Sequence, residues 1–158
     1  MSSRHAEIKL FWGYELDLFD PAILKAIKEL IINNPEWSKK WDEEKKKDYR
    51  KLDIENDDDV FDFAMNDMSF EKIVKALFDR DIVMAWIETQ GDAHYFLPVG
   101  EVSEIYNNGF NSKGNYKAMN TVVKLKQKPP SDPELEKRLK ELGIDAQLTQ
   151  QITTYYGY

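Results

Sequence analysis

The sequence predicts an α+β fold: a single domain, residues 1–158, with a mainly antiparallel sheet of about four or five strands and helices packed on one face. Three observations lead there. Residues alternating at period two open the chain, a hairpin pattern lies in its middle, and well-capped segments of helical period fill much of the rest. At 158 residues, 42% of them hydrophobic, the chain can bury a core without staples.

The first element alternates Ile8, Leu10, Trp12, Tyr14 and Leu16 against Glu7, Lys9 and Glu15, a half-buried strand. Asp20-Pro21 then reads as an N-cap with proline at the first helical position, and Ile23, Leu24, Ile27, Leu30 and Ile31 form one apolar stripe behind it. Asn34-Pro35 repeats the signal and opens a polar helix over 36–51, whose thin aromatic seam is Trp37, Trp41 and Tyr49. Residues 53–59 read as an acidic surface loop leading into a helix over 60–68, with Phe61, Ala64, Met65 and Met68 on its inner face. Phe70, Ile73, Val74, Leu77 and Phe78 give the best helical stripe in the chain.

The run Ile82 through Ile87 has the pattern of a strand buried on both faces, and with Gln90-Gly91-Asp92 and a strand over 93–99 it makes a hairpin. Pro98 is expected at a strand end or edge, and a short helical turn over 101–106 follows. Residues 110–115 read as a surface loop, and 117–126 alternate as a further strand. After Pro129-Pro130, residues 129–158 supply a C-terminal helix and strand of the same domain. The helix carries Leu135, Leu139 and Leu142 and ends at Gly143; the strand ends in Tyr-Tyr-Gly-Tyr.

Charge is unevenly spread. Between Asp42 and Asp67 stand eleven acidic residues against five basic ones, a net of −6 in a chain whose total is −7, whereas residues 111–128 hold five lysines and no acid. The absence of cysteine excludes disulfides, thiolate metal sites and cysteine nucleophiles. With no signal pattern ahead of the first strand and no long apolar run, the expected location is the cytoplasm, away from membranes.

Motifs for chemistry are missing. Counted from Asp53, an EF-hand would need glycine where Asp58 stands and glutamate where Ala64 stands, and no glycine pattern cradles a phosphate. No catalytic residue, metal ligand or cofactor is assigned, and His5 has no role. His94, with Asp92 two residues before it, has the makings of an oriented general base but no nucleophile to serve.

The leading expectation is therefore a small acidic binding protein without enzymatic activity: an inhibitor, immunity or regulatory factor, with a composition that hints at a bacterial or phage source. Asp57, Asp58, Asp59 and Asp62, with Trp37 and Trp41, would meet a basic surface on a protein partner. One alternative is a binder of a small molecule or nucleotide, or an enzyme, using a pocket near Trp86, His94 and Tyr95. The other is a single-stranded nucleic-acid binder that uses Lys113, Lys117, Lys124, Lys126 and Lys128 as an anion strip.

Overall fold

The computed structural model describes residues 5–47, 51–66, 69–87, 92–107 and 128–157. Its elements run β1 (His5–Leu16), α1 (Pro21–Asn33), α2 (Pro35–Lys47), α3 (Asp57–Met65), α4 (Ser69–Phe78), β2 (Val83–Ile87), β3 (Asp92–Asn107), α5 (Pro133–Glu141) and β4 (Leu148–Gly157). The class is α+β, with an open four-stranded antiparallel sheet in the order β2-β3-β1-β4. Chain contacts separate two units. One holds residues 1–15, 83–132 and 147–158, and the other holds 16–82 and 133–146. Among the described residues no helix is long and apolar enough to cross a membrane.

In the sheet unit β1 is an inner strand. It pairs with β4 from His5↔Gly157 to Tyr14↔Leu148, so the Tyr-rich end is a strand and lies at the sheet edge. On the other side of β1 lies β3, and there Gly13 matters: a Cβ at this position would meet the Leu97 carbonyl oxygen at 2.9 Å and the Phe11 ring at 3.3 Å. The glycine lets the two backbones close while Phe11 packs edge-on against Phe96 at 5.5 Å between ring centroids. Val83 and Val102 pack against this pair. Both faces of β1 therefore carry buried residues, Phe11 on one and Tyr14 on the other.

Three sequence expectations change here. First, β2 pairs with β3 from Val83↔Phe96 to Ile87↔Asp92, as the hairpin pattern implies, but it is an edge strand, with Met84 exposed, and is not buried on both faces. Second, Pro98 lies well inside β3. Because the Leu97 carbonyl approaches β1, alternation turns the backbone of Pro98 toward the flank where β2 has already ended, and no ladder donor is lost. Third, residues 101–106 continue β3 and do not form a helical turn. Gly100 absorbs a bend there at φ 75°, a left-handed conformation, with Pro130 close by. The expected loop at 110–115 and strand at 117–126 lie outside the described residues.

The helical unit follows its caps. Asp20 accepts a hydrogen bond from the Ala22 N–H at 2.8 Å and Pro21 takes the first helical position. Asn34 serves two helices: its N–H closes α1 on the Leu30 carbonyl, and its side chain accepts from the Glu36 N–H at 3.0 Å to start α2. The α1 stripe contacts α2, α3 and α4. Helix α5 ends in a Schellman turn, with Gly143 at φ 71° and the Ile144 N–H on the Leu139 carbonyl at 2.9 Å; both of those side chains are buried. Arg138 then fastens α5 to α4 by donating from Nε to the Leu77 carbonyl at 2.8 Å.

Gly13→Ala is expected to destabilise the protein by about 1–3 kcal/mol, because the new methyl must displace backbone as well as a ring. Chemical denaturation of the variant beside the wild type measures this. An unchanged midpoint would mean that β1 and β3 do not approach so closely.

Candidate functional site

The acidic segment is more ordered than a surface loop. Helix α3 starts at Asp57, three residues before the expected Val60, because Asn56 caps it by accepting from the Asp58 N–H at 3.0 Å. Asp57, Asp58 and Asp59 thus fill the first turn, where unsatisfied N–H groups and the helix dipole favour negative charge.

The aspartates do not have equivalent surroundings. Asp59 accepts the Asp53 N–H at 2.9 Å, and Asp53 in turn accepts the Glu55 N–H at 3.0 Å, so these carboxylates hold the turn before the helix. Asp57 pairs with Lys28 of α1 at 2.7 Å. That hydrogen bond is the main cause holding the Lys28 ammonium above its ordinary pKa; desolvation opposes it, and Asp57, Glu55 and Asp53 add attraction. Asp58 and Asp62 stand one helical turn apart on the outer face of α3, both exposed.

The inner face of α3 also differs from expectation. Val60, Phe63 and Ala64 are buried, whereas Phe61 turns outward, since starting the helix at Asp57 fixes the stripe at i, i+3 and i+4 from Val60. Phe61 stacks on Phe19, with ring centroids 4.8 Å apart and planes 16° from parallel. Phe19 is 71% exposed and stands in the turn between β1 and α1, where Asp17 accepts its N–H at 2.9 Å. Asp58, Phe61 and Asp62 therefore share one outward face, with a second aromatic ring laid against it. Sequence reasoning missed Phe19, a turn residue outside any periodic stripe.

Trp37 and Trp41 are not part of this surface. Both are buried, edge-on to Phe63 at 6.4 Å and 5.0 Å, and the Lys40 ammonium sits 4.2 Å from the Trp37 ring centre. They attach α2 to α3, which corrects their expected place at a partner interface: their area is already spent on the core. Nearby, hydrogen bonding and charge from Lys40 hold the Glu36 carboxyl below its ordinary pKa.

In the sheet unit, His94 and Tyr95 are adjacent residues of one strand and face opposite sides of the sheet, so they cannot line one pocket. The partner of His94 is Glu15 of β1, whose Oε1 lies 2.5 Å from Nδ1. The expected orienting residue was Asp92; the carboxylate comes instead from 79 residues away. Such a pair fixes which ring nitrogen faces outward. Among the described residues no group of three or more His, Asp or Glu has the geometry to hold a metal ion. Of the lysine strip only Lys128 is described, and it is exposed; Lys113, Lys117, Lys124 and Lys126 lie outside the described residues.

No protein-family model, curated protein or solved structure matches this chain.

The two kinds of aspartate should separate in stability. Asp59→Ala is expected to cost about 1 kcal/mol more than Asp58→Ala, because only the former leaves a backbone donor without its carboxylate. Urea titration of both variants checks this, and equal losses would show that the Asp59 contact contributes nothing in solution.

Proposed function

We propose that the protein is a non-enzymatic binding factor, of the inhibitor, immunity or regulatory kind, that docks its acidic α3 surface on a basic surface of a protein partner. The observation that carries this reading is the juxtaposition of Asp58 and Asp62 with the exposed Phe19 ring, which is stacked on the half-buried Phe61. Aromatic rings that a partner can cover supply binding energy, and the carboxylates around them steer approach and choose the sign of the partner. Trp37 and Trp41 have no part in it. Asp57 is engaged by Lys28 and Asp59 serves the turn; both add to the field.

The test begins with affinity purification of the partner from the native host, followed by stopped-flow association kinetics. Asp58→Asn combined with Asp62→Asn is expected to keep the fold and to slow association about tenfold or more at low salt, while the wild-type rate falls as salt is added. Phe19→Ala is expected to act on dissociation instead. A folded double variant that associates at the wild-type rate would overturn the reading.

A further inference from the structure

The stacking of Phe19 on the half-buried Phe61 leaves one aromatic surface turned to solvent. The two rings lie 4.8 Å apart between centroids and 16° from parallel, so Phe61 covers one face of Phe19. Phe19 is nevertheless 71% exposed, and that exposure belongs to the opposite face and the rim of the ring. A carboxylate accompanies each ring. Asp17 lies in the same turn as Phe19 and accepts its N–H at 2.9 Å, and Asp58 stands three positions before Phe61 on α3, on the same side of the helix. Both aspartates are exposed, and among the described residues neither forms an ion pair. The face of a phenyl ring carries partial negative charge, so ring and carboxylates attract charge of the same sign.

We propose that this platform takes an arginine of the protein partner, whose guanidinium lies flat on the open face of Phe19, with Asp17 and Asp58 as the carboxylates that draw it in. The inference rests on the docking role of the α3 surface and names what that surface reads. Charge complementarity selects a cation. The shape of the platform then selects among cations. Two rings stacked in parallel offer a flat surface, not the cage of several rings that encloses a methylated ammonium. A guanidinium is planar, is more weakly hydrated than an ammonium and presents its donors in a fork that fits a carboxylate, so it can stack and pair at once. A lysine ammonium is a compact, strongly hydrated point charge, and it gains chiefly from the carboxylates.

The test compares two probes of equal charge, capped tetra-arginine and tetra-lysine peptides, by NMR titration of the full chain at low salt. Wild type should bind the arginine peptide about two- to fivefold more tightly than the lysine peptide, with the Phe19 ring resonances shifting on binding. Phe19→Leu, which keeps an apolar group but removes the ring face, should bind both peptides equally. Phe19→Trp should widen the preference, because an indole face attracts cations more strongly. Asp58→Asn should weaken both peptides in similar proportion while leaving the preference in place. Equal wild-type affinities, no binding of either peptide, or a preference that survives Phe19→Leu overturns the proposal. Equal affinities would leave the docking reading standing, since that reading is judged separately by the association rate of the native partner.

Discussion

The sheet depends on β1 being held from both sides by strands far away in the chain. Leu10 pairs with Ile152 on one flank, and Gly13 meets Leu97 on the other. Without β1, the β2–β3 hairpin and β4 have no common neighbour. The approach at Gly13 leaves no room for a side chain, so this contact is also the least tolerant of change. Long-range pairing of this kind carries a loop-closure cost before any hydrogen bond repays it, and it is the feature expected to slow folding.

The chain path meets that demand by interleaving its two units. After Glu15 it leaves the sheet and forms α1 to α4, returns for the hairpin, leaves again for α5, and comes back with β4. Within the helical unit the stops are local and economical. Asn34 ends one helix and starts the next, and Gly143 with Ile144 closes α5. Arg138 on the Leu77 carbonyl joins the late helix to the early group across sixty-one positions of sequence.

What could be read in the sequence was chiefly what is decided locally. Asp20-Pro21, Asn34-Pro35 and Gly143 marked helix ends because a cap needs only its neighbours, and the hairpin was visible because its two strands are close in sequence. Pro98 misled because what a proline does to a strand depends on which flank of the strand is paired, and that is set by β1 and by where β2 stops. The α3 face was misjudged because the helix begins earlier, on Asn56, than the acidic run suggested. The same division applies to the candidate surface. Its acidity was legible, whereas the split of the aspartates hangs on Lys28 and the Asp53 backbone, and the Phe19–Phe61 stack and the Glu15–His94 pair join residues with no local signature.

The central claim, that β1 is clasped by β4 in one register, can be tested by cross-linking, since the chain has no cysteine of its own. Lys9 and Thr153 are register partners, while Lys9 and Ile152 are offset by one residue and face opposite sides of the sheet. Under mild oxidation of dilute protein, Lys9→Cys with Thr153→Cys should close an intramolecular disulfide readily, its Cα atoms lying within the reach of such a bond. Lys9→Cys with Ile152→Cys should remain reduced. Cross-linking of the offset pair in preference to the registered one would contradict the account.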